Sequence, residues 1–275
     1  MNSLKFHKMQ GAGNDFVVLD NRELGLSMDE IINLTPRLCD RKFGIGADGL
    51  LELESPQIDG VDFTMVYRNA DGSDAGMCGN GARCLAMFAA HHGLQNSLTF
   101  NVHDSIYHAE VDKIEQLVRV SFPDVPSPKW IEVDDYRLIQ VYPSTEHVVC
   151  LVDHNTLEKE EDLVETGSRI RYSIELNPPG TNVNFISINE NESIDLQTYE
   201  RGVENLTLAC GTGAIASAIS AHFISGNGIG EYSKEINVKG GELEVQFTYD
   251  AETKTYHEVS LKGPAEFVYE GTIHI

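Results

Sequence analysis

The chain has 275 residues, 41% of them apolar, which is enough for one large or two ordinary domains with buried cores. Its 43 acidic residues outnumber 20 basic ones, and the net charge of -23 repels polyanions and anionic lipid, arguing against nucleic-acid or membrane partners. Five cysteines form no CxxC pair, so neither a disulfide framework nor a metal site is expected. The N-terminus carries no signal-like apolar run, which points to a reduced, cytoplasmic protein.

From Lys5 to Asp20 the run KFHKMQGAGNDFVVLD reads as a strand, a glycine-rich turn and a second strand. Ser27, followed by Glu30, is a capping-box signature that opens a short amphipathic helix. VDFTMVYRN is a strand leading to the loop MCGNGARC, after which Gly81 to His92 reads as an alanine-rich helix. Strand-like segments follow around Leu98 to Val102, Ile106 to Val111 and Leu117 to Phe122. Pro123, Pro126 and Pro128 then break the pattern. This places one domain at 1–123 and a second at 124–265, with a closing strand, 266–275, able to return to the first.

The second half repeats the theme. Strands are expected near Ile139, Val149 and Phe185, a helix across Leu157 to Arg169, and the strand DLQTYERG leading into ACGTGAIA. The uncharged stretch from Leu206 to Gly230 is rich in Gly, Ser and Ala and lacks basic flanks, so it reads as a buried helix rather than a membrane span. Strands close the chain from Glu235 to Tyr269.

The two cysteine loops superpose at a shift of 132 residues, the spacing from Cys78 to Cys210. Under that shift Cys78, Gly79, Gly81, Ala82, Ala86 and Ala89 fall on Cys210, Gly211, Gly213, Ala214, Ala218 and Ala221, and Tyr67 falls on Tyr199. The repeated unit is strand, loop, cysteine, helix, which suggests two domains built on one plan. Asn80 and Thr212 are good N-cap types, and first-turn N–H groups have no partner inside their own helix. Together with the helix dipole these donors favour a negative charge, whether on a thiolate or on a substrate carboxylate.

A single cysteine at such a place reads as a small apolar residue at the head of a buried helix. Two at matched positions suggest chemistry instead. A thiolate on one face of a carbon can remove its proton while a thiol on the other face returns one, inverting the stereocentre. No metal or prosthetic group is needed, and the two helix starts would stabilise the charge that develops on the adjoining carboxylate. Cys39 and Cys84 are expected in the core, and His91 and His92 at a helix end, where imidazole suits the dipole.

GAGNDFVVLD, CDRKFGIGADGLL, NADGSDAGMCGNGARC, GTNVNF and YERGVENLTLACGTG, in that order, resemble the diaminopimelate epimerases across nearly the whole chain. The resemblance implies an α/β (α+β) fold of two pseudo-symmetric domains, each with β-structure wrapped around a central helix. It also implies cofactor-independent conversion of LL- to meso-diaminopimelate, an amino-acid substrate in lysine and cell-wall precursor synthesis, and a homodimer. Carried over by position, Cys78 and Cys210 match the base and acid, and Gly79, Asn80, Gly211 and Thr212 match the backbone donors to the reacting carboxylate. Asn14 matches a substrate-contacting asparagine. Asn69, Asn182, Glu200 and Arg201 match the residues that read the far end of the substrate.

Glu200 and Arg201 could instead form a structural ion pair. Where the family usually carries a Gly-Asn-Pro-His or Gly-Ser-Pro-His turn, this chain reads PSTEHV. Ser144 is expected to stand for the asparagine or serine, and Glu146 or His147 for the histidine. The segment between Arg201 and Cys210 is one residue longer than the commonest spacing, and Gly49 lies where some members have glutamine. A related amino-acid racemase therefore stays open, as do a thiol redox sensor and a non-catalytic binding module.

Overall fold

The structure, a computed structural model, describes residues 3–226 and 228–275. The chain divides into two compact units. One runs from the N-terminus to Val120 and takes back Gly263–Ile275, and the other is Ser121–Lys262.

In the first unit, strands β1 (Ser3–Gly11) and β2 (Asn14–Asp20) form an antiparallel hairpin. Its two central residues, Ala12 and Gly13, have φ of 52° and 84°, as in the type I′ turn that matches strand twist. Helices α1 (Asn21–Leu24) and α2 (Met28–Cys39) follow, α2 opening on the complete Ser27–Glu30 capping box. Strand β3 (Gly49–Glu54) returns parallel to β2 and pairs antiparallel with β4 (Phe63–Asn69).

Helix α3 (Gly79–His91) then crosses, and β5 (Ser97–Val102), parallel to β4, leads into the meander β6 (Ser105–Asp112) and β7 (Leu117–Ser121). The closing strand Glu266–His274 pairs with β1. Every residue of α3 except His91 is buried, against β1, β2, β3, β4 and β6. An alanine-rich helix suits this place because small side chains let strands approach from all sides. On the outer face of the sheet a second apolar layer, with Val17, Leu19, Ile31, Leu38 and Leu50, seats α2. Strand β3 therefore has both faces covered, and even Glu52 is buried.

The second unit begins with β8 (Val125–Pro126), β9 (Lys129–Val133), β10 (Tyr136–Val141) and β11 (His147–Leu151). The single helix expected across Leu157 to Arg169 is two: α4 (His154–Leu157) and α5 (Glu160–Arg171). Strand β12 (Asn182–Ile188) runs parallel to β11 and antiparallel to β13 (Ile194–Glu200). A short β14 (Asn205–Thr207) precedes α6 (Gly211–Ser225), and β15 (Gly230–Val238), parallel to β13, continues into the meander β16 (Gly241–Asp250) and β17 (Thr255–Pro264).

The connectivity repeats that of the first unit. Each has a parallel pair joined through a peripheral helix, an antiparallel return, the central helix, and a parallel strand opening a meander. The register repeats as well: Leu51 faces Tyr67 in β3–β4, and Val183 faces Tyr199 in β12–β13.

Candidate active site

Each central helix starts on its cysteine. Cys78 caps α3 with φ −123° and ψ 118°, and Cys210 caps α6 with φ −121° and ψ 114°. This corrects the expectation that Asn80 and Thr212 are the caps: the extended backbone lies two residues earlier, and the helices begin at Gly79 and Gly211. A helix begun at Gly81 was likewise two residues too short. Asn80 and Thr212 sit in the first turn, beside the sulfur rather than beneath it. The Cys78 sulfur accepts from the Gly81 N–H at 3.4 Å, a cap contact that a thiolate strengthens.

Around Cys78 the hairpin turn delivers Asn14. Its amide donates to Asp48 Oδ2 at 2.7 Å, which turns Oδ1 toward the cysteine, 3.8 Å from Sγ, and toward the Asn80 amide at 3.4 Å. Asp48 is tied to Arg41 at 2.7 Å, and Arg41 also holds Asp15. Burial alone would raise the Asp15 carboxyl, but hydrogen bonds from Arg41 and Lys8 keep it well below the usual carboxylate range.

Arg83, one turn further along α3, is completely buried. Its guanidinium donates to Asn80 Oδ1 at 2.8 Å, to Gly79 O at 3.4 Å and to Pro264 O at 3.2 Å. Burial pulls its pKa down, while its thiol neighbours Cys84 and Cys78 act in the opposite sense. A cation behind the first turn therefore favours negative charge at Cys78. Asn69 ends β4 in a tight turn, its N–H donating to Ser73 O at 2.9 Å and its amide to Ser73 Oγ at 3.0 Å.

Around Cys210 the support is different. Its sulfur lies 3.7 Å from Thr212 Oγ1, which in turn is 2.9 Å from Nε2 of the fully buried His147. Nδ1 of His147 faces the Asn184 amide at 3.0 Å. Burial pushes this imidazole down to about 3, so it is neutral at physiological pH. Since His147 itself reaches Thr212, it stands for the histidine of the resembled turn. Counting back along the chain puts Thr145 at the asparagine and Ser144 at the glycine. Ser144 has φ 78°, a glycine-like conformation. The expectation that Ser144 replaces the asparagine is thus corrected by one residue.

Glu146 then occupies the proline's place and pairs with Arg201 at 2.8 Å. Asn182 links the same elements: its Oδ1 accepts from the Arg201 N–H at 2.9 Å, and its amide donates to Glu146 O at 3.1 Å. Glu200 ends β13, its carbonyl accepting from Glu204 N at 2.8 Å.

The remaining thiols are unsuited to proton transfer. Burial pushes Cys84 and Cys39 up to about 12 and Cys150 up to about 11. Arg83, Asn184, Asp48 and the pairing role of Glu146 were missed by sequence reasoning. Only Arg83 left a signal, a basic residue within an otherwise apolar helix start.

A model of the family described as diaminopimelate epimerase matches residues 6–121 and 140–268. The chain belongs to the diaminopimelate epimerase family. The diaminopimelate epimerase of Flavobacterium psychrophilum is 39% identical over 271 residues, covering 98% of this chain and all of that protein. That of Chlorobaculum tepidum is 38% identical over 273 residues, covering 96% and 99%. Among solved structures, a PhzF-family phenazine biosynthesis protein of Bacillus anthracis has the same fold, with TM-score 0.75, 14% identity and full coverage of both chains. A hydroxyproline epimerase of Agrobacterium vitis gives TM-score 0.72 at 12% identity, covering 98% and 92%. Family members at this identity and coverage place the chain among isomerases.

Proposed function

We propose that the chain interconverts LL- and meso-diaminopimelate by two-base chemistry. Cys78 and Cys210 are the proton-transferring groups, each the base for one direction and the acid for the other. The observation that carries this reading is the repeated cap: in both units a cysteine with the same extended backbone heads a buried helix, the Cys78 sulfur accepting from the Gly81 N–H and the Cys210 sulfur lying 3.7 Å from the Thr212 hydroxyl. Full-length family membership supports the substrate.

In this reading the N–H groups of Gly79, Asn80, Gly211 and Thr212 receive the reacting carboxylate, whose charge grows as the α-proton leaves. Oriented backbone dipoles cost no reorganisation at that moment, which is why glycine-started helices suit the task. Asn14 positions the Cys78 side of the reacting carbon. Asn69, Asn182, Glu200 and Arg201 serve the far end. Arg83 favours the anionic form of Cys78, while the neutral His147 fixes the hydroxyl of Thr212 beside Cys210. The enzyme works without metal or prosthetic group, in the cytoplasm, as a homodimer.

The test is incubation of the reduced protein with LL-diaminopimelate and chiral chromatography of the products. Accumulation of the meso isomer to a constant ratio is expected. Recovery of unchanged substrate, with another amino acid epimerised instead, would move the chain to a related racemase.

A further inference from the structure

Glu146 stands where the resembled turn carries proline, and its carboxylate holds one corner of Arg201. Nη1 of Arg201 donates to Glu146 Oε2 at 2.8 Å and to Gly180 O at 3.3 Å. Asn182 fixes both residues from behind, through the Arg201 N–H and the Glu146 carbonyl. Among the described residues no acceptor meets Nε or Nη2 of Arg201, and these two groups form the planar fork that matches a carboxylate.

Among the described residues Glu146 uses Oε2 alone, so Oε1 keeps its accepting capacity. The two side chains are 28% and 34% exposed, and Glu146 borders an open depression of about 300 Å³ shared with Lys129, Gln140 and Tyr142. The depression is lined by Glu146 and not by Arg201, so it is the partial exposure of both side chains that lets a small solute reach the pair.

An arginine already paired with a glutamate attracts a lone carboxylate less than a free arginine does, because the pair carries no net charge. A group that brings both signs meets no such penalty: its carboxylate lies on the free fork and its ammonium on Oε1. We infer that Glu146 is a specificity-determining residue, which with Arg201 reads the far end of the substrate as a zwitterion. The class selected is a diacid whose far end is itself an α-amino acid, against acids that carry a carboxylate there alone. The inference rests on the epimerase reading for its substrate and deepens it at a residue the family pattern leaves without charge.

The experiment measures binding of meso-diaminopimelate and of 2-aminopimelate, which lacks the far ammonium, by isothermal titration. The unsubstituted protein, Glu146→Gln and Glu146→Ala are compared, and α-deuterium exchange is followed on the same samples. The unsubstituted protein is expected to prefer the diamino acid by about tenfold or more, the low end for a charged hydrogen bond at a partly exposed site. Both variants are expected to lose most of that preference by weakening the diamino acid; two variants keep the result from hanging on one that misfolds.

An unchanged preference in folded variants would overturn the inference. So would equal tightening of both ligands, which would show that Glu146 merely competes with the substrate. Exchange with a Glu146-independent preference sinks this inference and spares the epimerase reading. A Glu146-dependent preference without any exchange does the reverse.

Discussion

Thr212→Val removes one hydroxyl at nearly constant volume, and the structure fixes what that hydroxyl does. Asn184 Oδ1 accepts from Thr198 Oγ1 at 2.9 Å, so its amide nitrogen is the group facing Val148 O and His147 Nδ1, both at 3.0 Å. Nδ1 is therefore an acceptor, and Nε2 carries the hydrogen given to Thr212 Oγ1 at 2.9 Å. With valine in place, that buried donor has no acceptor. The Asn182 amide at 3.3 Å is another donor and offers no relief.

Moving the hydrogen to Nδ1 would only oppose two donors at Asn184. An orphaned buried donor costs about 1–3 kcal/mol. For a chain of this size that is a fall in Tm of roughly 2–10 °C. Thr212→Ser keeps the hydroxyl and is expected to lose about 1 kcal/mol or less, the worth of one methyl. Because Thr212 accepts from His147, its own hydrogen is available to the Cys210 sulfur, so the valine variant should also lose about tenfold or more in turnover. Differential scanning fluorimetry and α-proton exchange on both variants check this. A valine variant as stable and as active as the serine variant would refute the tautomer assignment and the role given to His147.

Cys78→Ala and Cys210→Ala should each reduce epimerisation by about 10²- to 10⁴-fold, whereas Cys39→Ser and Cys150→Ser, whose thiols are held protonated by burial, should leave it unchanged in a steady-state assay. Gly213→Ala brings a Cβ to 2.5 Å from Asn184 Oδ1 and 2.9 Å from Thr198 Oγ1, and should cost about 1–3 kcal/mol in chemical denaturation. At Gly81 the nearest atom is the flexible Leu51 Cδ2 at 3.0 Å, so Gly81→Ala should stay within about 1 kcal/mol, helped by helix propensity. Glu52, buried in β3, is raised from 4.5 to about 8, first by burial and then by Glu54, with Arg68 opposing. The native state holds this proton more tightly than the unfolded chain, so stability is present below pH 4.5 and is lost as pH rises through about 8. Relative to Glu52→Gln, the unsubstituted protein should lose roughly 2–4 kcal/mol between pH 5 and 8.5, and parallel melting curves across that range would contradict the assignment.

The elements around the cysteines were legible because their signals are local. Alternation marks β4 and β13, small residues mark α3 and α6, and the fixed shift between the two loops exposes the repeat. Cap identity was not legible. Propensity favours Asn80 and Thr212, yet the backbone turns extended at Cys78 and Cys210, where the chain leaves the loop. The Ser144 turn misled by one residue because a glycine-like φ is carried by a serine, so motif letters and conformation disagree. Arg83 stood out as a basic residue in an apolar helix start, whereas Asn184 and Glu52 were invisible for a common reason. Periodicity tells which residues share a face but not that both faces of a strand are covered, so buried polar groups look like surface ones. The Glu146–Arg201 pair spans 55 residues and depends on β12 lying between β11 and β13, which no local pattern states.

The proton ledger of the reaction tests the two-cysteine account most directly. With LL-diaminopimelate in heavy water, sampled over the first few per cent of turnover, the meso product should carry one solvent deuterium at the inverted α-carbon while recovered substrate stays protiated. Product that retains its original hydrogen, or deuterium appearing equally in substrate and product from the outset, would contradict removal by one sulfur and return by the other.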